Sequence, residues 1–266
     1  MSAENTRCLV LWIEYAGTNF HGWQTQPGQR TVQSEIENAL LRMCGEEVRI
    51  IGSGRTDAGV HAWGQVAHFH TRSRIEPYKV RIGLNTMMGR DVSIFDCREA
   101  VGGFHAQFDA VRKTYRYRIL NRRSPSAIRS PYVWHVRKRL DTGAMRQAAD
   151  ILEGEHDFAS FCREKGRPED TVRRLERLSV ERAGDEVVIE ATAGGFLRHM
   201  VRNLAGVLVE VGRGEREAAS VREVLEGRNR ALAGVNAPPQ GLALVGVDYG
   251  EKLPPEAAPG PEETDA

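Results

Sequence analysis

The sequence predicts an α+β protein of two tandem halves. Each half is expected to be a ferredoxin-like split βαβ unit with its own mainly antiparallel sheet, and a central cleft between them is the natural place for an active site. Three observations carry this. Before residue 100, runs of strand-type composition alternate with two amphipathic stretches at helical spacing, in the order strand, helix, strand, strand, helix, strand. The same order recurs in the second half of the chain. A glycine-rich loop, 52–69 (GSGRTDAGVHAWGQVAHF), lies between two strands of the first half and carries Asp57 two residues after Arg55.

In chain order, residues 7–15 are expected to be a strand and 31–44 a helix, with Val32, Ile36, Ala39, Leu40 and Met43 on one face. Strands over 48–51 and 65–70, a helix over 76–87 and a strand over 92–97 complete the first half. In the second half, strands are expected over 113–120 and 132–136, then a helix over 141–152 with Asp141 as its N-cap. Two strand-type runs, 173–181 and 186–193, flank Gly184-Asp185 and predict a hairpin. Helices over 196–211 and 215–225 and a last strand over 243–249 follow. The expected boundaries are 1–107 for the N-terminal half, 108–250 for the C-terminal half and 251–266 for a disordered acidic tail.

The chain's 266 residues suffice for one large or two medium cores, and 41% hydrophobic with 27% charged residues describes an ordinary soluble protein. The longest apolar run, 8–13, is far short of the ~20 residues that span a bilayer, and no secretory signal precedes it, so a cytoplasmic protein without a membrane segment is expected. Four scattered cysteines without a C-x-x-C pair argue against disulfides and zinc, and the eight histidines fit no metal-binding frame. No P-loop, G-x-S-x-G or dinucleotide fingerprint occurs.

The net charge of +1 hides an uneven distribution. The tail carries five acids and one lysine, so without it 37 Lys+Arg against 36 Asp+Glu becomes 36 against 31, a net of +5. Residues 112–123 (RKTYRYRILNRR) hold six bases and no acid. A basic run with tyrosines in it suits a polyanion whose bases can stack, and it equally suits a solvated strand edge. On the strand over 113–120, Tyr115, Tyr117 and Ile119 share one face and Arg116 and Arg118 the other, so the tyrosines belong either to a binding site or to the core. On the helix over 196–211, Arg198, His199, Arg202 and Asn203 lie opposite an apolar face, with Gly206 among them. Such a cationic face, lacking acids before Glu210, suits an anion or a carboxylate such as Asp57; a solvated outer face is the alternative. Asp57 itself either serves chemistry or hydrogen-bonds its own turn.

GRTDAGVHA at 54–62, with Gly64-Gln65-Val66, resembles the signature loop of the tRNA pseudouridine synthases of the TruA family. The resemblance covers nearly the whole chain: YAGTNFHGWQTQ at 15–26 with Thr31-Val32-Gln33, Phe104-His105-Ala106, KTYRY at 113–117, FLRHMVRN at 196–203 and Gly241-Leu242. One departure is Met88-Gly89-Arg90-Asp91, where the family has Leu-Pro before the Asp, a change expected to alter loop stiffness rather than chemistry.

The resemblance implies an enzyme that isomerises uridine to pseudouridine in the anticodon arm of tRNA, without metal or organic cofactor, acting as a homodimer. By the same match, Asp57 would be the nucleophile, attacking either the sugar C1′ or the uracil ring, with Arg202 its ionic partner. Tyr115 would stack on the extruded base and take part in removing the C5 proton, and Arg55 would replace the flipped nucleotide in the stack. Leu242 would pack the pocket wall, and Lys113, Arg198, His199 and Asn203 would contact substrate. A tRNA-binding protein without activity and a small-molecule hydrolase with an Asp nucleophile are the rivals.

Overall fold

The computed structural model describes residues 6–100 and 102–253. Its elements in order are β1 Arg7–Tyr15, α1 Val32–Cys44, β2 Ile51–Gly52, β3 His61–Thr71, α2 Pro77–Met87, β4 Val92–Glu99, β5 Arg112–Leu120, β6 Trp134–His135, α3 Thr142–Leu152, β7 Gly154–Asp157, β8 Val172–Ala183, β9 Glu186–Ala193, α4 Met200–Gly212, α5 Val221–Glu226 and β10 Leu242–Asp248. The result is a mixed α+β protein built on a large, mostly antiparallel open sheet.

The expectation of a separate sheet in each half is corrected. The strands among the described residues join one sheet in the order β4-β1-β3-β10-β5-β9-β8-β7, with β2 against β3 and β6 against β5. The seam is a short parallel contact, Ala243 opposite His61 and Leu244 opposite Ala62. It forms because β10, antiparallel to β5 on one side, would otherwise leave a free backbone edge in the middle of the molecule.

Alternation along the strands fixes the two faces. Leu9, Leu11 and Ile13 of β1 join Phe69 of β3, Tyr117 and Ile119 of β5 and Val187 and Ile189 of β9 in one core with the buried sides of α1 to α5. Val10, Trp12 and Val66 point the other way, under Phe104, Ala106, Tyr249 and Leu253.

Local chemistry accounts for the element ends. Thr31 and Ser34 cap α1 reciprocally, each side chain accepting from the other's backbone N–H at 3.2 Å. The expected cap of α3 is present, with Oδ1 of Asp141 accepting from Gly143 and Ala144. The β8–β9 hairpin turns on two residues with Gly184 at φ 59, the first central position of a II′ turn.

Other boundaries differ from the sequence expectation. The strand expected over 48–51 shrinks to Ile51–Gly52 because the backbone of Ile50 is taken by α1, its N–H by Glu37 and its C=O by Gln33. The strand expected over 132–136 keeps only Trp134–His135, preceded by a 3-10 turn at Ser130–Tyr132. The helix expected over 215–225 begins at Ala218 as a 3-10 turn, since Gly214 at φ 70 reverses the chain and Arg216 folds back onto Glu210. The edge strand β7 has no apolar alternation to announce it; it exists through pairing with β8. At the C-terminus, Gly250–Lys252 make a 3-10 turn and Leu253 is buried, while the rest of the expected acidic tail, 254–266, lies outside the described residues.

Candidate active site

A row of residues crosses the seam on the helix-bearing face. Tyr15 is opposite Ala62, Ala62 opposite Leu244, and Leu244 opposite Tyr115. The loop carrying Asp57 runs into β3 one residue before this row begins, so the seam itself brings Asp57 and Tyr115 together from distant parts of the chain.

The loop is tied on every side. Trp23 N–H donates to Thr56 O at 3.1 Å, Gly59 N–H to Phe20 O at 3.3 Å and Val60 N–H to Asp57 O at 3.1 Å. Tyr15 and Thr56 share a hydroxyl hydrogen bond of 2.8 Å, and Gln65 Nε2 donates to Gly54 O at 3.0 Å. Its glycines make room for protein neighbours. A Cβ on Gly52 would lie 2.7 Å from the Trp23 ring, and Gly59 adopts φ +79, a region that suits glycine.

Two guanidinium groups and an imidazole, from the start of α4 and the residues just before it, converge on Asp57. Oδ2 lies 3.2 Å from Nη1 of Arg202 and 3.4 Å from Nε2 of His199, and Oδ1 lies 3.8 Å from Nε of Arg198. The Asp57 side chain is 23% exposed and that of Arg202 12%, so the pair sits in a half-dry pocket open on one side. Burial alone would raise the Asp57 pKa, but the neighbouring His199 imidazole and the Arg202 guanidinium outweigh it and hold the carboxyl below its ordinary value. The positive end of the α4 dipole acts in the same sense.

The helix expected from Phe196 starts instead at Met200. His199 sits at its N-cap in the left-handed region, φ 66, a strained conformation for a residue with a Cβ. Phe196, freed from the helix, packs edge-on against Tyr115 with ring centroids 5.1 Å apart. Tyr115 is buried, and burial, the neighbouring Tyr15 and the charge of Asp57 all push its phenol pKa well above normal.

A strap over 234–238 braces α4. Arg202 Nε donates to Ala237 O at 2.7 Å, Ala237 N–H donates back to Arg202 O at 3.2 Å, and Val235 N–H donates to Glu210 Oε1 at 3.0 Å. Gly206 is the point of contact, since a Cβ there would fall 1.8 Å from Val235 O. Gly206→Ala is therefore expected to destabilise the protein by about 2 kcal/mol or more, although alanine is the better helix former by about 1 kcal/mol. Chemical denaturation measures this, and a stabilised variant would contradict the strap contact.

The remaining expected site residues divide. Arg55 is exposed on the loop, and Leu242 is buried beside Tyr117 at the start of β10. Lys113 lies close to the loop, but its Nζ donates to Ser53 O at 2.6 Å, and burial lowers its pKa. Its visible task is to hold the loop against β5. Asn203, expected on the substrate face, is corrected: it is 0% exposed, with Nδ2 donating to Phe161 O at 2.6 Å. The polar side of α4 is closed by the 159–161 turn and the strap, which the periodicity of one helix cannot reveal.

The basic run is also not an open cationic face. Arg116 pairs with Glu190 at 2.9 Å, Arg118 with Glu186 at 2.9 Å, Arg112 with Asp248 at 3.1 Å, and Arg122 and Arg129 with Asp185. Arg116 also covers the Trp63 ring. At the departure Gly89, the neighbouring Asp91 is held by Arg30 at 2.6 Å, so that loop is stiffened by an ion pair. Two residues that sequence reasoning missed are His61, whose Nδ1 accepts from Gly17 N–H and whose Nε2 donates to Pro131 O, and Asn236 of the strap, whose Nδ2 lies 3.1 Å from Nδ1 of His199. No pattern in the sequence flags Asn236, and His61 stands inside the 54–62 loop motif without a role read for it.

No helix among the described residues is long and apolar enough to cross a membrane, and no group of three or more His, Cys, Asp or Glu among them is placed to hold a metal ion.

Comparison with known proteins gives the family. A family model described as tRNA pseudouridine synthase matches residues 11–109 and 148–250. A protein of Brevibacillus brevis named tRNA pseudouridine synthase A is 49% identical over 243 residues, covering 91% of this chain and 98% of the relative. One of the same name from Methylococcus capsulatus is 47% identical over 245 residues, covering 92% of this chain and 90% of the relative. With Asp57, Tyr115 and Arg202 gathered at the seam and both halves matched, the chain belongs to the tRNA pseudouridine synthase family.

Proposed function

We propose that this protein isomerises uridine to pseudouridine in the anticodon arm of tRNA, on the 3′ side of the loop and the adjoining stem, with Asp57 as nucleophile. The observation that carries the reading is the half-enclosed Asp57 carboxylate, held by Arg202 at 3.2 Å next to a buried tyrosine. The reaction breaks the N1–C1′ bond, forms C5–C1′ and moves the C5 proton to nitrogen, so it is redox-neutral and its demand is for a nucleophile and proton handling. Asp57 attacks either C1′ or the uracil ring. Tyr115 stacks on the extruded base. Its phenol stays protonated while Asp57 is charged, and it loses one of the causes of its raised pKa once that charge goes into a covalent bond, so any part in removing the C5 proton follows Asp57 addition.

Arg55, exposed on the same loop, fills the stack left by the flipped base, which costs a few kcal/mol to extrude. Mapping pseudouridine in tRNA incubated with wild type and with Asp57→Asn tests the assignment; release of free uracil or phosphate instead would favour a hydrolase.

We read the two halves as copies of one unit, 1–107 and 108–250. The strand order β4-β1-β3-β2 in one and β10-β5-β9-β8 in the other supports this, each placing the fourth strand beside the first and the second beside the third. The protein acts as a homodimer that holds one tRNA across both subunits. Because the arginines of β5 are paired with acids, the tRNA backbone is held mainly by the exposed cations near Asp57. Replacing Arg198 by Gln is expected to reduce the slope of log affinity against log salt by about one, while Arg116→Gln leaves it unchanged. Equal slopes in the two variants would contradict this placement.

A further inference from the structure

The two oxygens of Asp57 stand in different surroundings. Oδ2 faces Arg202 at 3.2 Å and His199 at 3.4 Å, whereas Oδ1 has Arg198 at 3.8 Å, beyond hydrogen-bond reach and on a side chain 58% exposed. The other ring nitrogen of His199, Nδ1, lies 3.1 Å from Nδ2 of Asn236. An amide nitrogen only donates, so Nδ1 must offer its lone pair, and the proton of the neutral ring then sits on Nε2, the side that faces Asp57. Turning the amide over would require a proton on Nδ1. The neutral ring would then aim a lone pair at a carboxylate, or the ring would have to be doubly protonated.

The backbone on both sides of this contact is held, while Oδ1 of Asn236 is buried without a partner. His199 is held at φ 66 at the N-cap of α4, its C=O accepting from Asn203 N–H at 2.9 Å, while its side chain caps nothing and its ring is left to face Asp57 and Asn236. The backbone of Asn236 is held between Val235, whose N–H donates to Glu210, and Ala237, which exchanges hydrogen bonds with Arg202. The charged and titratable groups around the pair are Arg202 from α4, Arg198 from the residues just before it, Asp57 from its loop, Tyr115 from β5 and Tyr15 from β1.

We propose that Asn236 is a positioning residue: it locks His199 in the Nε2–H tautomer, so that Oδ2 of Asp57 is held by two donors and Oδ1 is the oxygen that reacts. This rests on the reading of Asp57 as nucleophile. When substrate closes the open side of the pocket, the 3.4 Å approach of His199 tightens, as hydrogen bonds of unoccupied active sites commonly do.

Nitrogen NMR of protein labelled at histidine tests the tautomer, with the His199 signals assigned by their loss in His199→Gln. At mildly alkaline pH the expected result is Nδ1 unprotonated and Nε2 protonated in the wild type, and a mixture of tautomers in Asn236→Leu. A protonated Nδ1 in the wild type, or an unchanged tautomer in Asn236→Leu, overturns the proposal, and the wild-type spectrum alone decides if Asn236→Leu does not fold. Kinetically, Asn236→Leu is expected to lower kcat about tenfold with KM for tRNA unchanged, the effect of misdirecting one charge-assisted hydrogen bond.

In the His199→Gln background, where an amide keeps a donor towards Asp57 and has no tautomers, Asn236→Leu should cost nothing more. An equal loss in both backgrounds would mean that Asn236 only supports the fold. Should Asp57→Asn itself remain active, the nucleophile reading fails while the tautomer measurement still stands or falls independently.

Discussion

Asp57→Asn is expected to lower pseudouridine formation by ~10⁴-fold or more, the scale on which loss of a nucleophile removes catalysis. The amide is nearly isosteric, and its carbonyl oxygen can still accept from Arg202, so the guanidinium keeps a partner. The cost to stability is therefore at most about 1.5–3 kcal/mol, the typical net value for a hydrogen bond made to a charged group. Relief of the desolvated carboxylate works in the opposite direction, since burial disfavours the charged form of Asp57. A loss of activity with near-normal thermal unfolding and tRNA affinity would place Asp57 in the chemistry. An Asp57→Asn enzyme with activity within tenfold of wild type would remove the carboxylate from the mechanism and leave the family's scaffold performing its reaction in another way.

Arg202→Met is the second large effect. Methionine fills much of the volume but cannot donate, so Oδ2 of Asp57 keeps only His199 and Ala237 O loses its donor. At neutral pH kcat/KM should fall about 10²-fold, as when one preorganised donor to a developing or standing charge is removed. The pH dependence gives the sharper test. Burial raises the Asp57 pKa and His199 and Arg202 lower it, with a net lowering in the intact protein. Without Arg202 the balance moves upward, and the acid limb of the kcat/KM profile shifts to higher pH.

The sign for stability follows from linkage. A depressed folded pKa contributes stability that is present above the unfolded pKa and is lost as pH falls through the folded value. The stability gap between wild type and Arg202→Met should thus be full at neutral pH and narrow as pH drops below the ordinary carboxylate range. An acid limb that does not move would break the pairing of Arg202 with Asp57. Arg202→Lys should recover part of the charge effect but not the two-point hold on Oδ2 and Ala237 O, because a lysine lacks the planar fork.

Much of the local structure was legible along the chain. The bounds of β1 and β9 follow from their strand-type composition, and the cap at Asp141 from a side-chain oxygen placed before apolar periodicity, whereas Thr31, read as the first residue of its helix, turned out to be the cap. Where reading failed, a partner distant in sequence had taken over. Ile50 left its strand for hydrogen bonds to α1, and β3 began four residues early because His61 and Ala62 found β10. The basic run on β5 resembled a polyanion site until β9 laid Glu186 and Glu190 beside it. The face of α4 that by periodicity offered Asn203 to substrate was sealed by Phe161.

The sequence by itself determined most element types, the Asp57 loop and the family, because each rests on residues adjacent in the chain or on motifs read in order. Only the tertiary structure decided that the two halves share one sheet, that Asp57 has Arg202 and His199 on the same oxygen, and that Asn236 faces His199. The physical reason is the range of the forces involved. Periodicity and capping act over a few residues, while strand edges and buried charges are satisfied by whatever partner the packed chain brings within a few ångström, here from positions 145 residues apart for Asp57 and Arg202.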